Sequence, residues 1–84
     1  MAEVTIYTRN GCGYCVAAKA LLDRKGVAYT EFNASVDPDR RAEMMDRSGR
    51  TTFPQVFVGA THVGGCDDLH ELERRGGLDP LLAS

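Results

Sequence analysis

The sequence predicts a mixed α/β domain with the order β-α-β-α-β-β-α, in which a four-stranded mixed sheet is flanked by helices on both faces. Three observations carry this. Residues 3–8 are rich in β-branched and aromatic side chains, residues 16–25 are rich in Ala and Leu, and residues 27–33 return to strand-forming types. Strand, helix and strand in so short a space imply a right-handed crossover joining two parallel strands. Farther on, residues 55–58 and 61–63 are separated only by Gly59-Ala60, which adds an antiparallel hairpin.

Each element has its own local signal. Val4 and Ile6 share one face of the first strand. The first helix closes at Lys25-Gly26, with glycine suited to the left-handed position after the last turn and lysine to the negative end of the dipole. Its apolar set Val16, Ala17, Ala20 and Leu21 is read as core. Asp37-Pro38 starts the second helix, an acidic cap followed by proline at the first helical position. That helix runs through Arg40, Arg41, Met44 and Met45 to Ser48-Gly49, and its basic residues read as a solvated face. Pro54 stands at the mouth of the third strand, a tolerated place. Gly59 leads the hairpin turn, as a type II′ turn requires. Residues 64–68 open the last helix, which stops at Gly76-Gly77, and residues 78–82 form a short apolar tail that docks on the core.

A length of 84 residues predicts a single domain spanning 1–84 with one modest core. The net charge of −2 gives no reason to expect nucleic acid or an anionic membrane as partner. No apolar run approaches a membrane span, and the N-terminus does not read as a signal peptide. Three cysteines, an odd count, argue against a disulfide-stapled secreted framework, so a reducing, cytoplasmic setting is expected.

Chemistry concentrates at Asn10-Gly11-Cys12-Gly13-Tyr14-Cys15, where the first strand hands over to the first helix. There Cys12 falls near the helix N-cap and Cys15 one turn in, on the same face. The free N–H groups and the positive dipole end favour a thiolate on Cys12, the form that attacks. Arg9 adds positive charge nearby. A disulfide within one turn closes almost no loop and would stabilise little. Zinc needs four ligands, usually with a second close pair, and Cys66, His62 and His70 do not form one. The pair therefore reads as a redox dithiol, with no metal site.

The same order with C-x-x-C after the first strand resembles the thioredoxin fold. Tyr7-Thr8-Arg9 ahead of Cys12-Gly13-Tyr14-Cys15, then Thr52-Phe53-Pro54, then Gly64-Gly65-Cys66-Asp67-Asp68, resemble the glutaredoxin family, and the resemblance covers essentially the whole chain. It implies a glutathione-dependent thiol–disulfide oxidoreductase of the small dithiol type, most simply a monomer. Glutathione would be its reductant and co-substrate, and disulfide-containing or glutathionylated proteins its other partners. Carried over residue by residue, it implies a cis Phe53-Pro54 bond, with the Phe53 backbone pairing with the cysteine of glutathione beside Thr52. It also implies a site for the γ-glutamyl carboxylate at Gly65, Cys66 and Asp67, with Asp68 near the amine. Read locally, Asp68 could also cap the helix in a box with Glu71, and the two roles are compatible. Arg9 and Arg41 are candidates for the glycyl carboxylate, and Tyr14 for a flank of the sulfur. Cys66 reads as an inert small residue, with a regulatory oxidation site as its alternative, and His62 and His70 as strand and surface-helix residues.

One departure is Gly13, where glutaredoxins commonly carry proline. Glycine adds an N–H and loosens the turn, which changes the redox balance of the pair. Some members without this proline hold an iron–sulfur cluster between two subunits, so a cluster-binding dimer using Cys12 and glutathione is the alternative reading. A redoxin recycled by thioredoxin reductase is a third, but the W-S-G-F-R-P stretch of that relative is absent and the chain has no Trp.

Overall fold

The computed structural model describes residues 2–84. Its elements are β1 (Val4–Thr8), α1 (Gly13–Arg24), β2 (Tyr29–Asn33), α2 (Pro38–Ser48), β3 (Gln55–Val58), β4 (Thr61–Gly64), α3 (Cys66–Arg74) and α4 (Leu78–Ala83). The sheet order is β2-β1-β3-β4, with β1 parallel to β2 and β3 antiparallel to both its neighbours. This is the mixed sheet that the crossover and the hairpin predict.

The alternation of side chains along β1 and β3 gives the sheet two different faces. Val4 and Ile6 pair with Val58 and Val56 and pack with Leu22, Leu69 and Leu78 into an aliphatic core under α1, α3 and α4. Tyr7 and Phe57 point the other way and meet Met44 of α2, with Phe32 and Phe53 at the edge. The basic residues of α2 stay largely open to solvent, as expected, but two of them also cover rings. The Arg40 guanidinium lies 3.9 Å from the Phe32 ring centroid and that of Arg47 lies 4.0 Å from the Phe57 centroid. Their flat, weakly hydrated heads cover aromatic rings that the short helix leaves open.

Three local readings change. The second strand begins at Tyr29, because Val27 is used to close α1. The Val27 amide donates to the Leu22 carbonyl at 3.1 Å and the Gly26 amide to Asp23 at 3.0 Å, with Gly26 at φ 69°. That is the paired closing turn for which glycine suits the left-handed position. The apolar tail is a helix, α4, and Pro80 fits its first turn, where a missing N–H breaks no helical bond. Leu78 and Leu82, four apart, are both buried. Finally, Val56 stands opposite Gly64 but Phe57 opposite His62, so β4 carries an extra residue, Val63, as a bulge. The bulge lies just before α3.

Candidate active site

The strand-to-helix junction puts Cys12 at the N-cap of α1 in extended backbone, φ −109° and ψ 103°. Its Sγ accepts the Cys15 amide at 3.1 Å, as a capping oxygen would. Cys12 and Cys15 are both buried, at 7% and 2% exposed, with Cys12 the more open residue of the two. Burial pushes the Cys15 thiol up to about 12, the neighbouring Cys12 sulfur adds to this, and the Arg9 backbone amide offsets only part of it. All three cysteines are free thiols. Gly13 occupies the first helical position, and a Cβ there would meet nothing within 4 Å. A side chain beginning at Cβ therefore has room here, and no clash at that atom selects glycine.

Facing the cysteines is the segment between α2 and β3. The Phe53-Pro54 bond is cis, as the resemblance implied. The Phe53 carbonyl oxygen lies 3.9 Å from Cys12 Sγ. Among the described residues, neither the amide nor the carbonyl of Phe53 pairs with another backbone group. A peptide edge is thus left open beside the nucleophile.

Two depressions meet at Phe53. One is lined by Arg9, Arg41 and Thr51 together with Phe53. The other continues past Tyr14, Thr52 and Pro54 to the start of α3, where Gly65, Cys66, Asp67 and Asp68 form its far wall. Every residue that the sequence assigned to a glutathione groove therefore lines one or the other. One end is basic and the other acidic and amide-rich, while Cys12 lines a third depression with Cys15, Arg9 and Lys19.

Asp68 is not the cap of α3, and Glu71 is not its partner. Gly65 is the N-cap residue, and Asp68, at the third helical position, reaches back to accept its amide at 2.9 Å. Glycine has no side chain to cap with, so the helix uses only this half of a capping box, while Glu71 pairs with Arg74. The Asp68 carboxylate also takes the Arg50 guanidinium at 3.0 Å. These two contacts, the Gly65 amide first, hold its carboxyl below the usual 3.8. Gly64 makes the approach possible. Its φ is 119°, and a Cβ there would collide with the Asp68 side chain.

Arg50 is the site residue that the sequence reading missed. It lines the acidic depression, and its only sequence signal is its place between the glycine that ends α2 and the T-x-P stretch. Nothing in the spacing links it to Asp68. Cys66 has its Sγ 3.4 Å from His70 Nδ1, which also lies 2.8 Å from the Cys66 carbonyl oxygen, and burial raises its thiol. Among the described residues no three His, Cys, Asp or Glu side chains converge as metal ligands, and no helix is long and apolar enough to cross a membrane.

A family model described as Glutaredoxin matches residues 4–63. Glutaredoxin 3 of Escherichia coli K12 is 57% identical over 82 residues, covering 98% of this chain and 99% of its own. The solution structure of glutaredoxin from Brucella melitensis is 62% identical with a TM-score of 0.85, over 98% of this chain and 89% of that one. A buckwheat glutaredoxin–glutathione complex is 33% identical with a TM-score of 0.88, over 98% and 77%. With a thioredoxin-type fold, a helix-capping cysteine pair and these relatives, the chain belongs to the glutaredoxin family of thiol–disulfide oxidoreductases.

Proposed function

We propose that the protein is a glutathione-dependent oxidoreductase that reduces protein–glutathione mixed disulfides and protein disulfides in a reducing, cytoplasmic setting. The observation that carries this is the open backbone edge of Phe53 beside a cysteine held at a helix N-cap, between a basic and an acidic depression. Glutathione has a peptide core, a carboxylate at its glycyl end, and an amine with a second carboxylate at its γ-glutamyl end. Arg9 and Arg41 match the glycyl carboxylate as bidentate donors. The Gly65 amide is taken by Asp68, so the amides of Cys66 and Asp67 in the first turn of α3 suit the second carboxylate, and Asp68 suits the amine. Thr52, Phe53 and Pro54 form the peptide wall, with Tyr14 and Cys66 along the flank. The similar buckwheat protein in its glutathione complex favours the same choice of small thiol.

The Cys12 thiolate attacks the glutathione sulfur of a mixed disulfide. The S–S bond breaks, the protein leaves as a thiolate that picks up a proton, and glutathione remains on Cys12. A second glutathione thiolate attacks the bound glutathione sulfur, so oxidised glutathione departs and Cys12 is regenerated. With a protein disulfide, Cys12 joins one protein sulfur as the S–S bond breaks and the other sulfur leaves as a thiolate. Cys15 then attacks Cys12, frees the second protein sulfur and closes the Cys12–Cys15 bridge, which two glutathione thiols reopen with release of oxidised glutathione. Cys15 is a poor nucleophile at rest because its thiol holds its proton. Once Cys12 is in a mixed disulfide it no longer adds to the rise of the Cys15 thiol, while burial, the larger cause, remains.

The test is a glutathione-coupled assay with a small mixed disulfide, run beside an NMR titration with glutathione. Turnover is expected, with shifts at Arg9, Tyr14, Phe53 and Asp68. Absence of turnover, or shifts confined to residues far from Cys12, would reject the reading.

A further inference from the structure

Gln55 is a buried polar side chain that the chemistry above does not use. It follows Pro54 directly, opens β3 and is 0% exposed. An amide buried this completely must find partners. Its Nε2 donates to the Thr52 carbonyl at 3.0 Å and lies 3.1 Å from Thr52 Oγ1. A carbonyl only accepts, so the amide nitrogen must face Thr52 and Oε1 must face away. There Oε1 lies 2.7 Å from His62 Nε2. Since Oε1 also only accepts, that ring nitrogen carries the hydrogen, and it does so whether the imidazole is neutral or charged. The His62 ring is stacked on Phe57 with centroids 4.8 Å apart. A continuous line of hydrogen bonds thus runs from β4 through the buried start of β3 to the wall of the groove.

The segment it reaches is packed through Phe53, at the edge of the aromatic cluster, and through buried Pro54, but its backbone is held by little else. Among the described residues, positions 51–54 make no hydrogen bond to another backbone group. We propose that His62 and Gln55 form a strut that positions the Thr52–Phe53 backbone for glutathione, making both of them positioning residues that never touch the substrate. The inference rests on the glutathione reading above. Loss of the strut lets the open peptide edge drift, which weakens capture of the mixed disulfide. It leaves in place the Cys15 amide that holds the Cys12 sulfur, because that amide belongs to α1, and loosens only the long 3.9 Å contact of that sulfur with the Phe53 carbonyl.

Two substitutions at His62 separate the hydrogen bond from the stack. His62→Gln can still donate to Gln55 but loses the ring on Phe57. His62→Phe keeps a ring there and loses the donor. Gln55→Met removes both ends of the strut at similar volume. The readouts are KM and kcat in the coupled assay with a small glutathione mixed disulfide, the Tm, and the rate of Cys12 alkylation by iodoacetamide. His62→Phe and Gln55→Met are expected to raise KM by about fivefold or more, the effect of one lost hydrogen bond. Their kcat and alkylation rates should stay within about twofold of wild type, and His62→Gln should keep a near-wild-type KM. Equal KM values in the two His62 variants, or a rise confined to His62→Gln, overturns the strut alone. Wild-type protein without glutathione-coupled turnover overturns the proposed function, and the strut with it.

Discussion

The two walls of the site are made in different ways. The cysteine wall is one contiguous stretch, residues 9–15, and its geometry is that of a helix beginning: Cys12 caps α1 and takes the Cys15 amide. The facing wall is assembled from the 51–54 segment, the start of α3 and Arg50, joined by the Arg50–Asp68 pair and the bonds of Gln55. The first depends on backbone that α1 carries with it. The second depends on individual side chains from distant parts of the chain. Chemistry should therefore be resistant to substitutions on the far wall, and binding should be sensitive to them.

Substitution of the cysteines gives the largest effect and tests the first wall directly. Cys12→Ser removes the attacking sulfur and should lower turnover of every disulfide substrate by more than about a thousandfold, as loss of a nucleophile does. Residual activity near wild type would place the nucleophile elsewhere.

Cys15→Ser should split the activity. Reduction of glutathione mixed disulfides is retained, because a second glutathione can attack the sulfur on Cys12. Reduction of protein disulfides that need the intramolecular bridge is lost. With the Cys15 thiol pushed up to about 12, iodoacetamide at pH 7 should modify Cys12 first in the wild-type protein. Peptide mapping that found Cys15 labelled ahead of Cys12 would reverse these roles.

The same contrast explains what could be read from the sequence. The C-x-x-C at a strand–helix boundary is local information: residue types and spacing alone place both sulfurs. The crossover, the hairpin and the caps of α1 and α2 are local too. Some departures are local, such as the closing turn of α1 that takes Val27 out of β2, but those at the aromatic face and the far wall involve distant chain. Arg40 and Arg47 would be solvated on an isolated helix, but the sheet presents Phe32 and Phe57 beneath them. The Asp68–Glu71 box fits its spacing, yet Gly65 and Arg50 hold Asp68 instead. The bulge at Val63 has no residue signal, because it is a matter of register between β3 and β4. The composition of the far wall was legible only through the family resemblance, and its internal bonds were not legible at all.

Gly64→Ala should strike the assembled wall while sparing the other. At φ 119° an alanine is strained by about 1–3 kcal/mol, and its Cβ would push the Asp68 carboxylate off the Gly65 amide. For a domain of this size each kcal/mol lowers Tm by about 4–8 °C. KM for a glutathione mixed disulfide should rise, with Cys12 alkylation at pH 7 unchanged. A parallel slowing of alkylation would mean that the walls are coupled and the contrast is false.

The smallest effect expected is a titration. The folded state holds the Asp68 carboxyl below 3.8, first through the Gly65 amide and then through Arg50. The folded value is the lower one, so the contribution of Asp68 to stability is present above about pH 3.8 and is lost as pH falls through the folded value. Glu31, bonded to Thr8 and Lys19, and Glu43, bonded to Tyr7 and Arg40, are likewise held below their ordinary 4.5 and have the same sign. Tm should therefore decline below about pH 4.5, and only gently, because Asp68 and Arg50 are each about half exposed and screened by water. The Gly65 amide resonance reports Asp68 alone. It should titrate with a midpoint below 3.8, and Arg50→Gln should raise that midpoint without bringing it to 3.8, since the amide bond remains. The Cys15 amide, which reports the other wall through Cys12, should not follow the same curve. If it does, protonation on one wall reaches the nucleophile on the other, and the two are a single electrostatic unit.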